Sequence, residues 1–263
     1  MIGIERKRLL PRLAAQFAAA VADGSEVHEV PGFRVHLWPT PDPFYRNVAI
    51  PTGRPGAWAP AIAVMARIFA EHGRTARLEF FADLWPDLPP ALARAGFRPE
   101  RRAEVMTLGR GELRSASVAA RATLLGSDTP VQVLEAFLAA AAESFGEPEA
   151  LLAAGEVDRF AQGLGRGTLA AAMVRDGEVP VSGCSLIGPG PVAELAGVWT
   201  RPAWRRRGCA QAACALLLER YFAGGGELVW LSAADAASGG LYRSLGFVPC
   251  GMQLNYVGPV PTA

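Results

Sequence analysis

The stretch Ala193–Ala210 reads Ala-Glu-Leu-Ala-Gly-Val-Trp-Thr-Arg-Pro-Ala-Trp-Arg-Arg-Arg-Gly-Cys-Ala, an apolar strand that passes through a basic turn directly into the start of a helix. A helix start exposes backbone N–H groups and the positive end of the macrodipole, and both favour an anion such as a phosphate. Gly208 lets the backbone approach an oxyanion closely, and Ala210 keeps the next turn uncluttered. Arg205, Arg206 and Arg207 add positive charge. The loop lacks the Lys-Ser/Thr pair of a Walker loop and the Gly-x-Gly-x-x-Gly spacing of dinucleotide sites, so a nucleoside triphosphate or a dinucleotide is disfavoured. Taken alone, it reads equally well as a solvated charged turn capping an ordinary helix. Cys209 sits inside it, where the backbone and not the thiol faces a ligand, so it is not read as a nucleophile.

Further along lies Asp235-x-x-Ser238-x-x-Leu241-Tyr242-x-x-x-Gly246-Phe247. With Arg205-x-x-Gly208-x-Ala210, this element resembles the Gcn5-related N-acetyltransferase (GNAT) superfamily. Its Arg/Gln-x-x-Gly-x-Gly/Ala loop cradles the pyrophosphate of acetyl-CoA, and an Asn-x-x-Ala-x-x-Leu-Tyr-x-x-x-Gly-Phe element follows. Val198–Trp204 resembles the family's Val-x-Pro-x-Tyr-Arg approach, with Pro202 displaced and Trp204 at the aromatic position. The resemblance covers residues 115–257.

The resemblance implies an acetyltransferase with acetyl-CoA as co-substrate and no metal. Val198, Trp199 and Thr200 would offer main-chain groups to the pantetheine arm, one N–H also polarising the thioester carbonyl. Arg205, Arg206, Arg207, Gly208, Cys209, Ala210 and Gln211 would wrap the pyrophosphate. Tyr242 would protonate the leaving thiolate, against the plainer reading of a core aromatic on a short helix. Asp235 stands where Asn is usual, to cap the following helix or bind the pantetheine amide. Glu194 holds the offset at which the histone acetyltransferase branch places its catalytic glutamate. A carboxylate there takes a proton from an ammonium if burial raises its pKa; otherwise it is a solvated or ion-paired strand residue.

These residues need a scaffold, and the pattern supplies one. Thr129-Pro130 opens a helix over Val131–Ser144, with Val131, Leu134, Phe137, Leu138 and Ala141 on one face. Glu147-Pro148 restarts a helix to about Leu164. Thr168–Val174 and Val179–Ile187 read as strands around Arg175-Asp176-Gly177, followed by a strand at Val192–Trp199, a helix at Gly208–Tyr221 and a strand at Leu228–Ala233. This order predicts an α/β fold with a mixed sheet. The resemblance implies the acyl-CoA N-acyltransferase fold, a mostly antiparallel sheet flanked by helices.

Both halves of the chain close alike, with a strand, a short helix, Gly-Phe-x-Pro and a hairpin-like strand. Gly96-Phe97-Arg98-Pro99 matches Gly246-Phe247-Val248-Pro249. We therefore expect a degenerate N-terminal copy over 1–110 and the acyl-CoA-binding domain over 111–263, joined near Arg110–Ser117. The first copy carries Leu92 at the tyrosine position, and Pro51–Trp58 lacks the phosphate-loop spacing.

Composition narrows the classes. With 26 Lys plus Arg against 25 Asp plus Glu, net charge +1 gives no reason to expect nucleic acid or an anionic membrane as partner. Mean hydropathy is +0.19, yet no 18-residue stretch is free of charges and breakers, and the N-terminus has no h-region. A cytoplasmic protein is expected. Cys184, Cys209, Cys214 and Cys250 form no Cys-x-x-Cys and read as buried apolar residues. His28, His36 and His72 all lie in the first third, so a histidine triad or His-rich zinc site in the second half is excluded, and they read as surface or packing residues. The function expected is acetyl transfer to a primary amine, on a small molecule or peptide, by a monomer with an internal pseudo-dimer or by a homodimer. The rival is a non-catalytic acyl-CoA-binding sensor or scaffold.

Overall fold

The computed structural model describes residues 8–39, 46–114, 121–146, 155–188, 190–233 and 236–259. The chain divides into two compact units, one comprising Met1–Met106, Ser232–Asp235 and Pro249–Ala263, the other Thr107–Leu231 and Ala236–Val248. Among the described residues no helix is long and apolar enough to cross a membrane.

In chain order the first unit begins with α1 (Leu10–Ala22), β1 (Glu26–Val30), β2 (Phe33–Leu37), β3 (Val48–Pro51), α2 (Trp58–Glu71), β4 (Arg77–Phe81), α3 (Leu88–Arg94) and β5 (Arg98–Gly109). The second begins with β6 (Ala122–Leu125), α4 (Val131–Phe145), α5 (Glu156–Arg166), β7 (Leu169–Asp176), β8 (Val179–Ile187) and β9 (Val192–Thr200). It continues with a short 3-10 turn (Pro202–Trp204), α6 (Cys209–Ala223), β10 (Leu228–Ala233) and α7 (Ala236–Leu245). Last comes β11 (Val248–Val257), nearly all of which belongs to the first unit.

The first unit's strands run β1-β2-β3-β4-β11-β5 and the second unit's β10-β9-β8-β7-β6. Most pairings are antiparallel, whereas β3–β4 and β9–β10 are parallel. The expected mixed, mostly antiparallel sheet is what the chain forms. Alternation along the strands gives each sheet two apolar faces. In the first unit, Phe33, Val35, Leu78, Phe80 and Tyr256 pack with Ile62, Met65 and Phe69 of α2 and Leu88 and Leu92 of α3. Phe81, on the opposite face, meets Phe17 of α1 edge-on at 6.4 Å. In the second, Ala171, Met173 and Trp199 pack beneath Leu134, Phe137 and Ala140 of α4. α6 buries Ala213, Cys214, Leu217 and Leu218. Cys184 and Cys214 touch in that core, where burial holds the Cys184 thiol far above its ordinary pKa.

Both Gly-Phe steps are the same helix stop. Phe97 N–H donates to the Leu92 carbonyl at 3.0 Å and Gly96 N–H to Ala93 at 3.1 Å; Phe247 N–H donates to Tyr242 at 3.0 Å and Gly246 N–H to Arg243 at 3.1 Å. Crossed bonds with a left-handed glycine, φ 81° at Gly96 and 105° at Gly246, are a Schellman motif. The structure differs from the sequence reading in three places. β5 and β11 are single long strands, not hairpins, and β6 precedes α4. Val131 is exposed while Ala140 takes its place in the core. The expected restart at Glu147-Pro148 lies outside the described residues.

Candidate active site

β9 carries the site because it loses a neighbour part-way along. It pairs with β10 only from Val192 to Glu194, opposite Leu228 to Trp230. Among the described residues of the second unit, that edge has no partner strand past Glu194. On its other edge β9 pairs with β8, Gly183 facing Trp199 and Ser185 facing Ala196. Gly197 and Val198 therefore oppose Cys184 alone, which is a β-bulge. Gly197 has φ 56°, the left-handed backbone such a bulge requires. The extra residue shifts the alternation, returning Trp199 to the face that Glu194 and Ala196 occupy. That face lies under α4, where Trp199 meets Phe137 at 5.4 Å.

The bulge also decides which main-chain groups point to the open edge. Arg201 N–H donates to the Val181 carbonyl at 2.9 Å, so by antiparallel alternation Trp199 turns its N–H and C=O toward β8. Ser182, fully buried, donates its hydroxyl to the Trp199 carbonyl at 2.7 Å and lies 2.8 Å from the Thr200 hydroxyl. Val198 and Thr200 thus face away from β8. Arg205 Nε donates to the Thr200 carbonyl at 3.2 Å, leaving the Val198 amide and carbonyl and the Thr200 amide on that edge.

After the 3-10 turn the chain bends sharply. Arg206 has φ 59°, the one non-glycine in the left-handed region among the described residues, and Gly208 follows at φ 78°. Holding an arginine there costs about 1 kcal/mol, and such strain clusters where backbone is preset for a ligand. Alternating left-handed turns before a helix gather N–H groups into an anion-binding nest. No side chain caps α6. Among the described residues, Ala212 is the first of the helix with a backbone N–H bond, to the Gly208 carbonyl at 2.9 Å. The amides of Cys209, Ala210 and Gln211 are thus presented together with the exposed side chains of Arg205, Arg206 and Arg207. Cys209 is buried, and burial raises its thiol pKa against the opposing pull of Arg207, so it stays protonated.

Tyr242 is buried on α7, its ring 6.0 Å from Phe247. Gln211 Nε2 donates to Ser244 Oγ at 3.4 Å, which ties the first turn of α6 to α7. Glu194, half-buried, is the last β9 residue paired on both sides, between Ile187 and Trp230. Asp235 lies outside the described residues. Sequence reasoning missed Gly197, whose place inside an apolar strand was the available signal for a bulge. It also missed Ser182 and the ion pair of Arg201 with Glu143 at 2.9 Å that anchors the turn to α4, for which no local pattern existed.

The corresponding helix start in the first unit is built differently. Trp58 Nε1 at 2.8 Å and Arg54 Nη1 at 3.1 Å both donate to Asp87 Oδ2. The Trp58 hydrogen bond, with Arg54 adding to it, lowers the Asp87 pKa, so a carboxylate stands where the second unit presents a cationic loop.

These features define an acyl-CoA acyltransferase scaffold. Residues 134–247 match the acetyltransferase (GNAT) family. Among curated protein sequences none matches the chain. Solved structures share the fold. A GCN5-related N-acetyltransferase from Kribbella flavida is 22% identical, with 95% of this chain and 96% of that one covered and a TM-score of 0.76. A tandem GNAT protein from the clavulanic acid biosynthesis pathway is 16% identical over 89% and 80%, with a TM-score of 0.60. A GCN5-related N-acetyltransferase from Sphaerobacter thermophilus is 18% identical over 82% and 73%, also with a TM-score of 0.60.

Proposed function

We propose that the chain transfers an acetyl group from acetyl-CoA to a primary amine on a small molecule or peptide, as a soluble cytoplasmic enzyme. The observation that carries this reading is the conjunction, in one unit, of an unpaired β9 edge and an uncapped, arginine-flanked helix start a few residues later. Acetyl-CoA has one chemistry for each: an amide-bearing pantetheine arm that pairs as a strand does, and a diphosphate that takes the amides of Arg206–Gln211. The Val198 amide, turned outward by the bulge at Gly197, polarises the thioester carbonyl. The neutral amine attacks that carbon, and the C–S bond breaks as the amide forms. Tyr242 gives its phenolic proton to the departing thiolate, and Glu194 accepts the proton shed by the amine nitrogen. Bringing amine and thioester together supplies much of the rate, and no covalent enzyme intermediate is needed. Asp235 is the candidate partner of the pantetheine amide. The acyl-CoA-binding domain is then 111–263, and 1–110 is a copy that has given up the cofactor loop.

One observation favours the rival reading of a non-catalytic acyl-CoA binder. Tyr242 fills the same helix-stop position as Leu92, packing on Phe247 as Leu92 stands to Phe97, so its ring has a structural use without any chemistry. Calorimetry with acetyl-CoA and free-thiol release with an amine panel separate the readings. Binding with turnover supports the enzyme, binding without turnover the sensor, and no binding removes both.

A further inference from the structure

We propose that Glu26, His28 and His72 form a binding site for a transition-metal dication, of which Zn²⁺ is the reference case. His28 and His72 lie 44 positions apart in the chain, and by sequence they read as surface or packing residues. The fold of the first unit brings them together. Glu26 and His28 are two apart on the edge strand β1, hence on one face. They stand opposite Leu37 and Val35, which face α2, and His72 is the C-cap residue of that helix. One ligand atom from each of the three lies within 4.8 Å of the others. The two imidazoles are 5.2 Å apart, centre to centre.

Two details distinguish this cluster from a chance surface group. His72 Nδ1 lies 2.8 Å from the carbonyl of Ile68. A carbonyl can only accept, so Nδ1 carries the hydrogen and Nε2 keeps a lone pair; a backbone carbonyl fixing the second nitrogen is how ligating histidines are usually oriented. His28 Nε2 sits 3.0 Å from Glu26 Oε1, yet it is buried without an aligned hydrogen-bond partner among the described residues. A metal ion between them would satisfy that nitrogen. Ligand atoms on a tetrahedral zinc lie roughly 3.3 Å apart, given bonds of about 2.0–2.1 Å. Glu26 is exposed, so its carboxylate can swing to close the remaining gap while His72 keeps its bond to Ile68. Two imidazoles and one carboxylate suit Zn²⁺, Ni²⁺ or Cu²⁺ and not the harder Mg²⁺ or Ca²⁺. Three protein ligands leave a fourth position for water or a ligand from solution. Bound metal would pin the edge strand to the end of α2.

The test is calorimetric titration of the EDTA-stripped, desalted full chain with ZnCl₂ near neutral pH. The expected result is saturable uptake of one Zn²⁺ per chain at this site. His28→Ala and His72→Asn should each weaken it by at least about tenfold, the scale on which metal sites respond to lost partners. Asn carries an amide N–H where His has Nδ1–H, so His72→Asn keeps the helix-cap bond while removing the metal-binding lone pair. Circular dichroism melts of the metal-free variants confirm folding; if His28→Ala does not fold, His72→Asn decides alone. Absence of saturable uptake, or uptake unchanged in His72→Asn, overturns the proposal. The result is independent of acetyl-CoA binding, so either reading can fail without the other.

Discussion

Two ionisable residues in the first unit, one buried and one half-buried, should hold its stability level across mildly acidic pH, and removing either should tilt it. His36, fully buried on β2, has its pKa lowered to about 4 by burial, then by Arg34, with Glu29 opposing. Glu79 on β4 has its pKa raised to about 7, by burial first and with Glu100 adding, against Arg101 and the hydrogen bond from Asn255. The signs are opposite. The folded chain refuses a proton that the unfolded His36 accepts, so its stability contribution is intact above pH 6.5 and lost as pH falls toward 4. The folded chain retains a proton on Glu79 that the unfolded chain releases, so that contribution is full below pH 4.5 and lost as pH rises through 7. Both shifts span 2.5 units, from 6.5 and 4.5 respectively, and at 1.36 kcal/mol per unit each amounts to at most about 3 kcal/mol. Between pH 5 and 6.5 the slopes nearly cancel. Glu79→Gln leaves His36 alone, and stability should then rise by about 1.5 kcal/mol from pH 5 to pH 6.5. His36→Leu should produce a fall of about the same size over that range. Urea unfolding in EDTA, followed by tryptophan fluorescence at half-unit pH steps, measures both. If the two variants run parallel to the unmodified chain, the opposing-titration argument is wrong.

Three further outcomes follow from particular contacts. Tyr242→Phe keeps the ring against Phe247 while kcat for CoA release drops by about 10²-fold or more; an unaltered kcat removes Tyr242 as the acid. Gly197→Ala meets no atom within 4 Å but must hold φ 56°, so it should cost about 1 kcal/mol in a thermal melt and weaken acetyl-CoA binding in calorimetry. Gly183→Ala would drive its Cβ into the Phe137 ring, with Trp199 at 3.0 Å and the Ala172 carbonyl at 3.1 Å, so destabilisation of about 1–3 kcal/mol should appear in the same melt; full stability there would show that α4 does not pack against β8 as described.

What the sequence disclosed depended on how far each signal reaches along the chain. Gly208, Gly246 and the Asp176-Gly177 turn are local, since each requires a backbone state visible in its own residue type. The helix periodicities of α4 and α6 are likewise local, although α6 is buried nearly all round and its face was legible only in part. Strand partnership is another matter. Nothing in Gln253 or Tyr256 marks them as neighbours of Phe81 and Leu78, because the hydrogen bonds that pair β11 with β4 are between main-chain groups common to all residues. The hydroxyl of Ser182 beneath Trp199 and the meeting of His28 with His72 belong to the same class. The site was therefore readable where it follows the chain, along Val198–Gln211, and opaque where it is assembled from distant strands.

The placement of β11 bears on biosynthesis. The core beneath α2 and α3 includes Tyr256, which enters only with the final strand. A growing polypeptide released from the ribosome up to α6 would already contain β1 to β4 but would leave the edge of β4 open to solvent and to other nascent strands. Folding of the first unit must therefore wait until β11 has left the ribosome, and a stop before β11 would damage a region synthesised well before it.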